Sequence, residues 1–264
     1  MTTYRDFIAA LRTLEIPHYR PVIAHASLSA FGLVHGGEQT ILGALLAAFD
    51  TVIMPAFTYK TMVVPELGPP GNGLAYGKWK DANRMAEFFC PQMPVDTLMG
   101  AVAEAMRSHP RAERSDHPIL SFCGVNAHFI LETQKIDQPF APIHKLRENR
   151  GWVLLVGVDH TVNTSLHYAE WIAGRKQFVR WALTPMGAVA CPNFPGCSQG
   201  FQAIAPRLER VTRSTTVGKG LIQAIPLNEL VDAVIGWLTV DPLALLCARP
   251  DCELCAAVRM HNAH

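Results

Sequence analysis

An apolar run that passes into a polar turn and then a helix start constrains this chain most. Residues Trp152–Val156 are all apolar and predict a buried strand. The segment Gly157–Glu170 follows at once and begins a helix after small and polar residues. In α/β enzymes the chemistry usually lies where a strand passes into a helix at the sheet edge. We therefore expect the functional residues in Gly157–Glu170.

A strand-helix-strand unit near the N terminus predicts parallel pairing. Val22–His25 and Thr51–Pro55 are strand candidates, and Glu38–Phe49 between them is an apolar helix. Further strands are predicted at Ile119–Cys123, Phe178–Leu183, Ala188–Cys191 and Val211–Val217, and further helices at Thr97–Ser108 and Leu227–Leu238. The predicted fold is α/β, with a central mixed, largely parallel sheet flanked by helices and a β-rich C-terminal part carrying a cysteine cluster.

One domain is expected over residues 1–264, with two distinctive segments. Residues 59–93 are rich in proline and glycine and predict an insertion that forms a lid or substrate wall, with a short helix near Asp81–Phe89. Residues 190–264 form the C-terminal part, which a zinc ion would staple.

Charge and hydropathy exclude several classes of partner. The formal net charge of +1 gives no support for binding nucleic acid or an anionic membrane. The apolar runs are too short to span a bilayer, and the N terminus lacks a secretory core, which predicts a soluble, cytoplasmic protein. Charged residues make up only 17%, so much surface is buried, in a large core, a cofactor interface or a homodimer.

Residues Ser27–Gly37 form a glycine loop between the first strand and its helix. Backbone N–H groups at this place can bind phosphate or a pantetheine-like chain. The loop is not a GxGxxG motif and lacks the lysine of a P-loop, so a simple tight turn is the alternative. The polar loop Arg114–Pro118 also has two interpretations: it contacts a phosphate or acyl group, or it is a solvated turn.

His167 and Glu170 are three positions apart on a predicted helix and share a face. A carboxylate can fix the tautomer of an imidazole and raise its basicity, which suits a general base for an amine. A surface ion pair is the alternative. N–H groups near Thr164 could polarise a carbonyl. His160 is a second candidate in the turn, without an obvious partner.

Seven cysteines without an export signal argue against a disulfide framework. Cys252 and Cys255 form a C-x-x-C pair, and Cys197 and Cys247 complete four soft ligands for tetrahedral zinc. A closed set of four thiolates is structural rather than catalytic. Cys191 is the spare cysteine, and free buried thiols are the alternative.

Four motifs in order, between about residue 20 and about residue 210, resemble the aminoglycoside 3-N-acetyltransferase family. They are His25–Gly32 with Gly36 and Gly37, Met54–Thr58, Arg114–Pro118 and Gly157–Glu170. The resemblance implies an α/β fold distinct from the common acetyltransferase superfamily, acetyl-CoA as donor, and direct transfer to an amine without an acyl-enzyme. It also implies His167 as base and Glu170 as its orienting acid.

The resemblance further implies which residues contact the cosubstrate. Those expected to line the coenzyme A site are His25, Ser27, Leu28, Phe31, Gly32, Gly36 and Gly37. Those expected beside the pantetheine and thioester are Thr58, Ser115 and Thr164.

One departure from the family bears on the acceptor. The wall after Thr58 carries Lys60, Lys78 and Lys80, and the overall charge is neutral to basic, whereas a binder of polycations is expected to be acidic.

Taken with the resemblance, the sequence predicts an acetyl-CoA-dependent N-acetyltransferase, with the 3-amino group of an aminoglycoside antibiotic as the first candidate acceptor. The alternatives are a different amine, or a catalytically idle protein that binds coenzyme A and zinc.

Overall fold

Helices and strands alternate along most of the chain in the computed structural model, which describes residues 1–77 and 83–262. The helices are α1 (Tyr4–Thr13), α2 (Gly37–Ala48), α3 (Ala101–Arg107), α4 (His128–Leu131), α5 (Ala141–Glu148), α6 (Thr164–Ile172), α7 (Ala205–Leu208), α8 (Leu227–Val240) and α9 (Glu253–His261). Within the described ranges, no helix combines the length and apolar character needed to cross a membrane.

The strands form two sheets. They are β1 (Val22–Ala26), β2 (Val52–Pro55), β3 (Met62–Val63), β4 (Ala112–Arg114), β5 (Phe122–Val125), β6 (Trp152–Val156), β7 (Phe178–Thr184), β8 (Gly187–Phe194), β9 (Arg213–Val217) and β10 (Gly220–Pro226). Seven of them are ordered β4-β5-β2-β1-β6-β10-β9, and β3-β7-β8 form a small antiparallel sheet.

The large sheet is mixed, which confirms the predicted α/β class. β2 and β6 both pair parallel with β1, in the register Val22 to Val52 and Val22 to Trp152. The outer pairings, β4-β5, β5-β2, β6-β10 and β10-β9, are antiparallel. The predicted parallel pairing is thus central to the sheet and is limited to these three strands.

Hydrophobic cores cover both faces of this sheet. Successive residues of a strand point to opposite faces, so Val22 and Ala24 of β1 enter one core and Ile23 the other. Helices α1, α2 and α3 pack in the first core, and α5, α6 and α8 in the second. Because both faces are covered, the central strands are apolar throughout and read in sequence as continuous apolar runs.

Two predicted elements differ from the structure, and a third lies partly outside the described residues. The strand predicted at Ile119–Cys123 begins at Phe122, because His117 Nδ1 accepts the backbone N–H groups of Ile119 and Leu120 and holds them in a turn. The helix predicted at Thr97–Ser108 is divided at Gly100, where φ is +82°. The short helix predicted near Asp81–Phe89 begins outside the described residues, as do Lys78 and Lys80.

Candidate active site

The start of α6 lies directly beyond the carboxyl end of the central strand β6. A short 3₁₀ turn, His160–Val162, separates the two elements. Asn163 caps α6, because its Oδ1 accepts the N–H of Ser165 at 3.1 Å. Gly157 precedes this turn with φ of +71°, and a side chain there would collide with Ala30. The close approach brings the glycine loop against the end of β6, just before the turn that leads into α6.

His167 and Glu170, called the dyad below, form a buried pair on α6. His167 Nδ1 lies 3.1 Å from Glu170 Oε2, and the side chains are only 12% and 4% exposed. The His167 ring packs between Phe140 and Phe201, with ring centroids 6.4 and 4.6 Å away. A carboxylate beside Nδ1 keeps the proton on that nitrogen and leaves the lone pair on Nε2. This burial separates the dyad from an ordinary surface ion pair.

A third charged group, Arg175, completes the dyad's surroundings and was not identified from the sequence. Its Nη1 donates to Glu170 Oε1 at 2.5 Å, and its side chain is 5% exposed. Its Nη2 donates to the carbonyl oxygens of Pro242 and Ala244, each at 2.7 Å. Arg175 follows Gly174, beyond the end of α6, so helical spacing could not pair it with Glu170. The only signal is a cation shortly after a buried acid.

Two further histidines, near the carboxyl ends of β1 and β6, are buried. Burial, together with nearby His160, lowers the pKa of His25 to about 3, so this ring is neutral at physiological pH. Burial also lowers the pKa of His160, whose Nδ1 lies 3.3 Å from Asn163 Nδ2. Asn163 is the partner that the sequence did not reveal. Among the described residues, His25 Nε2 has no hydrogen-bond partner.

The glycine loop predicted to contact coenzyme A lies against β6. The backbone N–H of Ser27 donates to Val156 O at 2.9 Å. Gly32, Gly36 and Gly37 all have positive φ. Leu28 packs at the edge of the first core, and Phe31 is buried there. A cleft of about 520 Å³ opens beside the loop, and its lining includes Ala30, Asp159, Thr161 and Lys219.

The other residues expected beside the thioester are buried. Thr58 Oγ1 donates to Pro118 O at 2.7 Å, and Ser115 Oγ accepts the N–H of Phe122 at 2.9 Å. Thr164 is the first residue of α6. Arg114 donates to the carbonyl of Ala56. The predicted polar loop therefore joins the ends of β2 and β5, and the roles of its residues in binding stay predictions.

Four cysteines meet at one point in the C-terminal part. The sulfur atoms of Cys197, Cys247, Cys252 and Cys255 all lie within 4.8 Å of one another, and we call these residues the cysteine cluster. A tetrahedral zinc ion with Zn–S bonds of about 2.3 Å needs sulfur atoms about 3.8 Å apart, so the spacing fits. Cys191 lies apart, buried in β8.

The thiols of the cluster differ in acidity. Burial raises the pKa of Cys197 to about 11 and raises that of Cys255 further. Burial also opposes ionisation of Cys252, but hydrogen bonds from the Cys255 N–H and neighbouring thiols outweigh it and lower its pKa. Cys252 thus ionises more readily than Cys197 and Cys255.

An apolar cleft of about 300 Å³ lies between the insertion and the small sheet. Its lining includes Val63 and Pro65 from the insertion and Trp181 and Leu183 from β7. Among the described residues that line it, Glu66 is the only acid. The described lining of this cleft is therefore mostly apolar.

The profile of the aminoglycoside 3-N-acetyltransferase family matches residues 23–239. The match covers most of the chain, including the glycine loop, the dyad and Arg175. The chain belongs to this family, which confirms the resemblance found in its motifs.

Two curated proteins are related to this chain in sequence. The SPbeta prophage-derived aminoglycoside N(3')-acetyltransferase-like protein YokD of Bacillus subtilis is 30% identical over 64% of this chain and 65% of its own length. Aminoglycoside N(3)-acetyltransferase IX of Micromonospora chalcea is 34% identical over 61% of this chain and 59% of its own length. The chain thus matches less than two thirds of each of these relatives.

Solved structures share the fold. The apoenzyme of aminoglycoside acetyltransferase AAC(3)-IVa has a TM-score of 0.79 with 24% identity, and the match covers 98% of this chain and 97% of that one. AAC-IIIb, in a binary complex with CoASH, has a TM-score of 0.73 with 22% identity over 90% of this chain and 96% of that one. At this level of identity the likeness establishes the fold alone.

Proposed function

We propose that this protein is an acetyl-CoA-dependent N-acetyltransferase in which His167 is the general base and Glu170 holds it. The buried dyad beyond the end of β6 carries the proposal, because its carboxylate leaves Nε2 of His167 as the basic nitrogen. Membership of the acetyltransferase family and the CoASH complex of AAC-IIIb support acetyl-CoA as the donor.

The reaction is a direct transfer. The nitrogen of the acceptor amine attacks the thioester carbonyl of acetyl-CoA, and His167 Nε2 accepts a proton from that nitrogen. The backbone N–H of Thr164, the first residue of α6, stabilises the developing oxyanion. The C–N bond forms, the C–S bond breaks, and the leaving thiolate of coenzyme A takes the proton from His167. Glu170 keeps its contact with Nδ1 and stabilises the imidazolium.

The 3-amino group of an aminoglycoside is the first candidate acceptor. The name of one relative supports it, since the Micromonospora chalcea protein is an aminoglycoside N(3)-acetyltransferase. The mostly apolar cleft beside Trp181 favours a second candidate, a less polar amine, because a polycationic sugar is better held by several carboxylates.

Turnover with a panel of amines separates these candidates. Release of free coenzyme A thiol is measured with acetyl-CoA and either 3-amino aminoglycosides or monoamines that carry apolar groups. Acetylation of the aminoglycosides at the 3-amino group supports the first candidate, and turnover only with apolar amines supports the second. Tight binding of coenzyme A without turnover across the panel contradicts both and indicates a catalytically idle protein.

We also propose that the cysteine cluster holds a structural zinc ion. Four cysteines with mutually close sulfur atoms are a closed ligand set, which leaves no position for substrate. Metal analysis of the purified protein tests this, with one equivalent of zinc per chain expected. Loss of the metal is expected in Cys252→Ser and not in Cys90→Ser, since Cys90 is exposed and outside the cluster. Less than about half an equivalent in the unaltered protein counts against the site.

A further inference from the structure

The two segments that hold the dyad from either side both lead into the cysteine cluster. Phe201, which packs on the ring of His167, follows Cys197 by four residues. Ala244, whose carbonyl accepts from Arg175, precedes Cys247 by three residues. The cysteine cluster therefore links the segment of Phe201, which packs on His167, to the segment of Ala244, which binds Arg175.

These two segments also touch directly. A Cβ on Gly200 would lie 2.3 Å from the carbonyl oxygen of Leu245, so only glycine allows this approach. Leu245 itself has φ of +66°, which is an uncommon backbone conformation for a leucine. Such a conformation persists only where the surrounding structure holds it. Cys247 lies two residues later, and its sulfur belongs to the cysteine cluster.

Arg175 connects this segment to the dyad and orients Glu170. Its guanidinium is a planar fork, and the carbonyls of Pro242 and Ala244 determine where that plane lies. When this plane is fixed, Nη1 of Arg175 donates to Oε1 of Glu170. Oε2 of Glu170 then remains free to contact Nδ1 of His167. If the segment that carries these carbonyls relaxed, the carboxylate could rotate and His167 would lose its orientation.

We propose that Arg175 is a positioning residue for the dyad, and that the cysteine cluster holds Arg175 in place through the carbonyls of Pro242 and Ala244. The inference rests on the proposed function, since it assumes that His167 is the base. It extends that function by giving the structural metal site a role in the rate of acetyl transfer.

Substitution of Arg175 tests the first part. Arg175→Lys keeps the charge but not the fork, and Arg175→Ala removes both. In each, kcat is expected to fall by about 10-fold or more with the KM for acetyl-CoA little changed, because a displacement of about 1 Å can cost about 10²-fold in rate. Added guanidinium ion should restore part of the kcat of Arg175→Ala.

Arg213 offers a matched control. Its Nη1 also donates to two backbone carbonyls, those of Leu14 and Glu15, but at the far edge of the sheet. Arg213→Ala and Arg213→Lys should keep the unaltered kcat and show no response to guanidinium. If kcat is unchanged in Arg175→Ala while His167→Ala is inactive, the proposed role of Arg175 is overturned but the proposed function stands. Full activity of His167→Ala would overturn the proposed base and this inference with it.

Removal of the metal tests the second part without changing the sequence. A chelator should lower kcat while calorimetric titration with coenzyme A gives an unchanged Kd, and added zinc should restore kcat. The proton NMR signal of the Nδ1–H of His167, identified by its loss in His167→Ala, should shift or broaden in the metal-free protein. If zinc-free protein keeps both that signal and its kcat, the link between the cluster and the dyad is wrong.

Discussion

Two histidine–glutamate pairs in this protein have similar sequence spacing and very different surroundings. His167 and Glu170 on α6 are three residues apart, with side chains 12% and 4% exposed. His128 and Glu132 at α4 are four residues apart, with Nε2 and Oε2 separated by 3.5 Å and side chains 72% and 58% exposed. Either spacing puts both groups on one helix face. Spacing therefore reports which side chains can meet and not whether the pair can do chemistry.

The position of each helix explains the difference. α6 follows the central strand β6, and its buried residues join the core between the sheet and α8. α4 is a single turn that follows β5, next to the edge strand β4, and its histidine also contacts Glu113 at 2.7 Å in solvent. Water screens the exposed pair, whereas the buried carboxylate needs Arg175 to offset its charge.

The largest expected contrast between the pairs is in stability. Glu170→Gln leaves the Arg175 guanidinium buried without a counter-charge, so we expect the free energy of unfolding to fall by about 3–5 kcal/mol. Glu132→Gln, in solvent, should change it by less than about 0.5 kcal/mol. Urea denaturation of the two variants measures both. Similar losses in the two variants would mean that burial does not distinguish these carboxylates.

The next contrast is in catalysis. His167→Ala removes the proposed base, so kcat should fall by at least about 10²-fold while coenzyme A still binds. His128→Ala removes an exposed histidine with a similar partner and should leave kcat unchanged. Steady-state kinetics with the acceptor found in the amine panel measures both. Unchanged turnover in His167→Ala would remove the functional distinction between the pairs.

The smallest contrast concerns the dependence of stability on pH. Burial lowers the pKa of His117 to about 4, while Glu113 and Glu132 raise that of His128. Between pH 6.5 and 4 the unfolded chain binds a proton at His117 and the native state does not. The free energy of unfolding should therefore fall on acidification, with His117 contributing up to about 1.4 kcal/mol per pH unit.

Two variants separate these opposite contributions. His117→Asn should make the fall in stability between pH 6.5 and 4.5 shallower, because it removes a group that only the unfolded chain protonates. His128→Asn should leave this fall nearly unchanged and should instead remove a gain in stability on acidification above pH 6.5, because the raised pKa of His128 makes the native state bind the extra proton there. Urea denaturation at several pH values gives both slopes. An unaltered slope in His117→Asn would be inconsistent with a buried, neutral histidine.

Local patterns predicted much of the fold and part of the candidate site. The central strands and α2 were predictable because continuous apolar runs occur where a sheet is covered on both faces. The dyad and the four cysteines were predictable because their residues are few and chemically distinctive. Arg175 was not predictable, since its partners, Glu170 and the Pro242–Ala244 segment, meet it only through tertiary packing.

The sequence by itself determined the family through the order of its motifs, the position of the parallel strands through apolar runs, and the residues of the dyad through their spacing. Tertiary structure decided which of two similar pairs is buried and which cation neutralises Glu170. The physical reason is that spacing within one element governs contacts along that element. Burial and electrostatic compensation instead depend on groups that folding brings together from distant parts of the chain.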